Sequence, residues 1–324
     1  MIVILAPLED LHARRVAQEI ELLGETAQII SWLLAGRELR PSLSHTGKLA
    51  KVLIQSEQDG SATQLADVRA IWTRRPSPPA IPTSVIDPEH RRFARQEWQD
   101  LLDGLTLSLG LDAVTINPLP AQRAAVKPYQ LAIAQRVGLR VPETLITSDP
   151  LRAQQFVDAH QGRVVHKAMT SPRNAFVETR RWQETDRGAL QQLLVGPAIF
   201  QELVKGPTDI RATMIGQEIY AAAISTEQSR AGLDSRLDLD VPTTAYEVPG
   251  EIARQLHALM AALDLTFATV DLKVDDAGQL HFLELNPQGQ FLYIEILTGL
   301  PIATAVARLL VNAQRGNANN RAVL

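Results

Sequence analysis

The sequence predicts an α+β protein that opens with a small α/β unit. Three observations carry that prediction. Apolar strand-like runs alternate with helices of 3.6-residue periodicity near the start, the later half is dominated by strands, and no internal repeat runs through the chain. That order argues for mixed sheets rather than a barrel. At 324 residues the chain has the length for two or three parts sharing a large core.

Taken in order, "MIVILAP" reads as a buried strand and "LEDLHARRVAQEIELLG" as an amphipathic helix ending at Gly24. "AQIISWL" is the next strand, "KLAKVLIQSEQDG" a polar-tipped hairpin, and "DVRAIWTRRPSPP" a strand that runs into a proline-rich break. The opening turn lacks G-x-G-x-x-G, so a dinucleotide role has no motif to stand on. "PEHRRFARQEWQDLLDGLTLSLG" is a long amphipathic helix that leads out of this unit. Asn117-Pro118 and Val141-Pro142 punctuate a helix expected from about Ala121 to Val137, capped by Gly138. "GRVVHKAM" and "AFVETRRW" are short strands. "PAIFQELV", "TDIRATMIGQEIYAAAIS" and "TFATVDLKVDDAGQLHFLELN" then form a strand-rich region, interrupted by the helix "PGEIARQLHALMAALDL" and closed by "PIATAVARLLVNA". The expected division is 1–115, 116–198 and 199–324.

Composition removes several function classes. The formal net charge is -4 without a block of like charges, so the electrostatic footprint of nucleic-acid binding is missing. The absence of cysteine excludes disulfides, thiolate metal sites and a Cys nucleophile, and fits a reducing cytoplasm. The N-terminal strand lacks the marks of a signal peptide and no run is long enough to cross a bilayer, so the expectation is a soluble cytoplasmic protein with no membrane partner.

The chemistry concentrates in "HFLELNPQGQF", an apolar strand that ends in Glu284 and Asn286 before Pro287. With the preceding "ATVDLKVDDAG" it has the form of a hairpin, and a tight turn at Ala277-Gly278 places Asp271 across from Glu284. Alternation puts Asn286 on the same face. Three oxygen donors on one patch suit Mg²⁺, which at nucleotide sites takes few protein ligands; the bland reading is a hydrogen-bonded polar pair at a strand end. Lysine is scarce in this chain, and Lys127 and Lys167 precede the acidic hairpin in order. They read as point charges for phosphate, against the commoner fate of a lysine that lays its stem on an apolar surface.

"AIFQELVKGPTDIR" joins these pieces. Its strand ends in Gln201-Glu202 and passes through an irregular Leu203-Val204-Lys205-Gly206-Pro207 connection whose backbone groups suit a flat heterocycle such as adenine. Asp209 and Arg211 share a face, as a bidentate anion contact or a surface pair, and Arg236 lies in the polar loop "GLDSRLD".

The set Lys127, Lys167, Gln201-Glu202-Leu203-Val204, Asp209-x-Arg211, Asp271-Leu-Lys273 and Glu284-x-Asn286-Pro287 resembles the ATP-grasp ligases from about 115 to 311. The resemblance implies the ATP-grasp fold, with the nucleotide between two mixed α+β subdomains. It also implies phosphate binding by Lys127 and Lys167, adenine reading by the Glu202 to Val204 stretch, and Mg²⁺ held by Asp271, Glu284 and Asn286. Arg211 and Arg236 resemble the arginines that steady the transferred phosphate and the acyl-phosphate. "DVRAIWTRRPSPP", "PAIFQELV", "DIRATMIGQEIYAAAIS" and "LELNPQGQFLYIE" resemble more closely the graspetide maturases of the microviridin type. Those enzymes join Asp or Glu side chains of a ribosomal precursor peptide, leader plus core, to Ser/Thr hydroxyls or Lys amines. A homodimer is implied by the same resemblance. One departure is the loop "AMTSPRNAFVET", which lacks the phosphate-covering glycines of many ATP-grasp enzymes and offers Ser171, Arg173 and Asn174 instead. No protein nucleophile is required, which agrees with the missing Cys and G-x-S-x-G. The competing expectations are an ATP-grasp ligase that adds an amino acid to another molecule, for example a glutamate ligase, and an ATP- or ADP-binding module without turnover.

Overall fold

A computed structural model describes residues 1–46, 49–170, 179–225 and 241–321, with side chains described outside 46–50 and 314–321. The fold is α+β, in two compact units. The first comprises Met1–Gln122, Asp264–Phe267 and the chain from Pro301 on; the second comprises Arg123–Leu263 and Ala268–Leu300.

The first unit is built on a parallel sheet in the order Ala27–Ile30, Ile2–Leu5, Ala70–Thr73, Val114–Ile116. Its two central strands are buried at every position, which is why they read as unbroken apolar runs. The helix Leu11–Leu22 starts where the Asp10 carboxylate accepts the Ala13 N–H at 2.9 Å, and it buries Ala13, Val16 and Ile20. The long helix Pro88–Gly110 has the bounds read from the sequence. Asp87 accepts the Glu89 and His90 N–H groups at 2.7 and 3.0 Å, Pro88 occupies the first turn, and Leu102, Leu105 and Leu109 enter the core.

A second, antiparallel sheet runs Leu39–Thr46, Leu49–Ser56, Ala62–Gln64. Its first strand is not anticipated by the sequence because Pro41 interrupts the pattern; the strand lies at the sheet edge, where a missing N–H is tolerated. The closing helix Ile302–Arg321 packs on Leu11–Leu22, and the Thr304 hydroxyl donates to Glu19 at 2.7 Å. Asn117, read from sequence only as a break before Pro118, is a buried cross-link. Its Oδ1 accepts from the N–H groups of Thr266 and Phe267 at 2.8 and 2.9 Å, and its Nδ2 donates to the Phe267 carbonyl at 2.7 Å.

The second unit holds two more sheets. One is antiparallel in the order Arg180–Arg181, Val164–Lys167, Ala198–Glu202, Thr144–Thr147; the helix Pro150–Ala159 and the 3₁₀ stretch Glu184–Leu194 help form its core around Val157, Leu190 and Phe200. The other has the order Thr243–Tyr246, Glu218–Ser225, Thr208–Ile215, Phe267–Val274, Leu280–Asn286. The helix Gly250–Ala262 lies where "PGEIARQLHALMAALDL" placed it. The expected helix from about Ala121 to Val137 is corrected to two, Leu119–Ala124 and Lys127–Arg136. Pro128 is the reason: it has no N–H to give the preceding turn and its ring collides with the carbonyl four residues back, so the helix restarts at Lys127.

Replacing Asn117 by Ala removes these three hydrogen bonds, the two to Phe267 buried and the one from Thr266 partly so, and takes their partner from the backbone groups. Asn117→Ala is expected to lower unfolding stability by about 2–4 kcal/mol, read as a reduced urea midpoint at unchanged slope.

Candidate nucleotide and metal site

The site is written in the alternation of the five-stranded sheet. Ile210, Ala212, Met214, Val270 and Leu285 point to one face and are buried there. Asp209, Arg211, Thr213, Thr269, Asp271, Lys273, Glu284 and Asn286 fall on the other by the two-residue period.

Asp271 lies directly across from Glu284, as the sequence predicts, but by a different route. The hairpin turns through three residues rather than two, with Asp275 N–H donating to the Gln279 carbonyl at 2.9 Å and Gly278 at φ +77°. Lys273 then pairs with His281 and Leu272 with Phe282. An irregularity at this point leaves Leu283 as an extra residue, after which Asp271 faces Glu284, Val270 faces Leu285 and Thr269 faces Asn286. The bulge restores the register that the longer turn displaced, and with it the face on which both carboxylates stand.

Cations close around them. Arg211, 3% exposed, donates through Nη1 to both Asp271 oxygens at 2.6 and 2.9 Å and through Nη2 to the Gln290 carbonyl at 3.0 Å. Lys127 Nζ is 3.1 Å from Glu284 and 3.4 Å from the Ala168 carbonyl. The restart forced by Pro128 puts this lysine at a helix N-terminus, where ammonium and helix dipole both favour an anion. Lys167 Nζ donates to Gln201 Oε1 at 3.2 Å. Burial holds its pKa below the ordinary lysine value; Glu284 pulls it back up, Lys127 lowers it further and Asp271 raises it. Asp209 pairs with Lys273 at 2.8 Å. Lys127, Lys167, Arg211, Asp271 and Glu284 thus meet in one patch, flanked by the Asp209–Lys273 pair.

The proposed adenine strand has a narrower set of groups to offer than its sequence suggests. Gln201 is buried, and its Nε2 donates to the Thr144 hydroxyl at 2.9 Å, so its side chain works as a bracket for Lys167. Glu202 N–H is taken by the Glu143 carbonyl at 2.8 Å and Leu203 N–H by the Arg163 carbonyl at 3.0 Å. Among the described residues, Val204 N–H has no such partner. Gly206 lets the connection lie against the hairpin, since a Cβ there would be 1.9 Å from the Val274 carbonyl oxygen.

The donor set fits Mg²⁺ better than a softer metal: two carboxylates and an amide oxygen, with no sulfur or imidazole. Among the described residues no three His, Cys, Asp or Glu side chains gather to hold a metal ion, so most of the coordination would fall to phosphate and water. Asn286 Oδ1 also accepts the Gln288 N–H at 2.9 Å, which orients the amide. Gly289 packs under this turn, where a Cβ would lie 2.1 Å from Thr269 Oγ1. Arg236, Ser171, Arg173 and Asn174 lie outside the described residues. One residue missed by the sequence reading is Gln130, buried three residues beyond Lys127 and bonded to the backbone of Leu285 at 2.8 and 3.0 Å. Its signal was a polar side chain one turn from a candidate phosphate lysine on the same helix face.

Because Lys167 holds its proton less tightly when folded, its charge costs stability below its folded pKa, and that cost fades as pH rises toward 10.5. Lys167→Met is therefore expected to raise the melting temperature at pH 7, with the gap narrowing toward pH 10, as read by scanning fluorimetry across pH.

Neither a protein-family model nor a curated protein sequence matches the chain. Solved structures do. Macrocyclase MdnC of Microcystis aeruginosa MRC, bound with precursor peptide MdnA, is 25% identical and superposes with a TM-score of 0.84 over 96% of this chain and 99% of its own. Macrocyclase MdnB of the same organism is 26% identical, with a TM-score of 0.81 over 96% and 98%. A RiPP-associated ATP-grasp ligase of Chryseobacterium gregarium, in complex with ADP and a leader and core peptide, is 23% identical, with a TM-score of 0.85 over 96% of each chain. The chain has the ATP-grasp fold, in the form shared by these peptide ligases and macrocyclases.

Proposed function

We propose that the chain is an ATP-dependent ligase that closes rings in a ribosomally made precursor peptide, leader plus core. An Asp or Glu side chain of the peptide attacks the γ-phosphorus of ATP as the bond to the ADP oxygen breaks, giving an acyl-phosphate. A Ser/Thr hydroxyl or Lys amine then attacks the carbonyl carbon, phosphate leaves, and the nucleophile gives up its proton, so each lactone or lactam costs one ATP and releases one water's worth of mass from the peptide.

One observation carries this reading: one arginine and two carboxylates on the five-stranded sheet are met by Lys127 from a helix and Lys167 from the neighbouring sheet, in a fold shared with macrocyclases over 96% of this chain. In this reading Lys127 and Lys167 clamp phosphate oxygens, and the Glu202 to Val204 backbone reads adenine. Asp271, Glu284 and Asn286 are the metal ligands, and Mg²⁺ supplies neutralisation of phosphate charge when bound. Arg211 and Arg236 steady the transferred group, Arg211 while fixing Asp271. Rate then comes from positioning and charge rather than from a protein nucleophile. The partition into 1–115, 116–198 and 199–324 belongs to the same reading, with adenine read just past its second boundary, and so does a homodimer, which light scattering of the purified protein tests.

The decisive experiment mixes enzyme, ATP, Mg²⁺ and a candidate precursor peptide, sought as a small neighbouring reading frame rich in Thr/Ser or Lys with Asp/Glu near its end. The expected result is a mass loss of one water per link; an intact mass, or a gain of an amino acid as for an intermolecular ligase, overturns cyclisation. Glu284→Gln is expected to cut ADP release and ring formation at least 100-fold, and unchanged turnover would remove the hairpin from the chemistry.

A further inference from the structure

We infer that Gln130 is a positioning residue for the metal ligands Glu284 and Asn286; the inference rests on the Mg²⁺-nucleotide site proposed above. Among the described residues Leu280–Asn286 is the last strand of its sheet, with one row of its backbone groups facing away from the neighbouring strand. Gln130 supplies a partner for that row. Its Oε1 accepts the Leu285 N–H at 3.0 Å and its Nε2 donates to the Leu285 carbonyl at 2.8 Å, so the side-chain amide takes the place of a peptide group on a neighbouring strand.

The amide's orientation follows from its contacts. Nε2 also donates to the Ala125 carbonyl at 2.6 Å, so two carbonyls require the NH₂ and one N–H requires the oxygen. Gln130 is 3% exposed, and solvent does not compete for these bonds. Leu285 is the residue between Glu284 and Asn286, so rotating its backbone swings both candidate ligands. The same helix grips the strand a second time, through the 3.1 Å contact of Lys127 with Glu284. One helix therefore holds the backbone behind the ligands and a charge in front of them, an arrangement in which loss of a ligand's support typically costs about 10–100-fold in metal affinity.

Two variants test the inference. Gln130→Met keeps length without hydrogen bonds, and Gln130→Glu keeps an acceptor for the Leu285 N–H but loses both donors. Three quantities are measured below each variant's melting temperature: deuterium uptake of the segment 283–287, ADP affinity without Mg²⁺, and the Mg²⁺ concentration that half-restores tight ADP binding. The expected result is faster uptake, unchanged metal-free affinity and a Mg²⁺ midpoint about 10-fold higher in Gln130→Met, with a smaller rise in Gln130→Glu. If uptake accelerates while the midpoint stays put, Gln130 merely staples the strand and the positioning role is overturned. Unchanged uptake overturns the clamp itself. If the unmodified protein shows no Mg²⁺-dependent ADP binding, the proposed site falls and takes this inference with it.

Discussion

Arg211 and Asp271 sit side by side on adjacent strands, the guanidinium almost wholly out of solvent, and the order of the surrounding sheet face depends on that pairing. A buried arginine without its carboxylate, or the reverse, costs several kcal/mol, so the two strands have to meet in the register that joins them. The Asp209–Lys273 pair falls two residues further along both strands and obeys the same register. With Glu284 across the hairpin from Asp271, the face carries Arg211 and Lys273 with Asp271, Glu284 and Asp209, and Lys127 and Lys167 approach it from a helix and from the neighbouring sheet; among the described residues these are four cations to three carboxylates. The excess positive charge suits a bound polyanion, and the carboxylates among it suit a cation carried by that polyanion.

Holding such a face steady falls to the edge strand's neighbours. A strand at the end of a sheet frays unless its outward groups are paired. Here Gln130 takes those of Leu285, and the Arg140 carbonyl accepts the Phe282 N–H at 2.7 Å. Both partners come from the segment that begins at Lys127. The proline that breaks the helix thus shapes the candidate site: it starts a new helix where a lysine faces Glu284 and a glutamine reaches Leu285.

Much of this was legible in the sequence. The buried parallel strands, the long helix Pro88–Gly110 and the strand-rich later half announce themselves through periodicity, whereas counting back from a two-residue turn reaches the Asp271–Glu284 pairing only because the bulge at Leu283 offsets the extra turn residue. Other features resisted local reading. Leu39–Thr46 hides behind Pro41 because propensity says nothing about which strand lies at an edge. The contacts of Gln201 with Lys167 and of Asp209 with Lys273 escape local reading for a related reason: each joins strands that are distant in sequence.

The chemistry of the site, hard oxygen donors with lysines and no nucleophile, was set by residue types and their order along the chain, because alternation alone assigns each to a face. Which of those groups touch was decided only when the chain folded. The turn length, the compensating bulge, and a glutamine 155 residues from the carbonyl it binds are agreements between distant segments. No local pattern records them, since each segment would satisfy its own propensity equally well in another register.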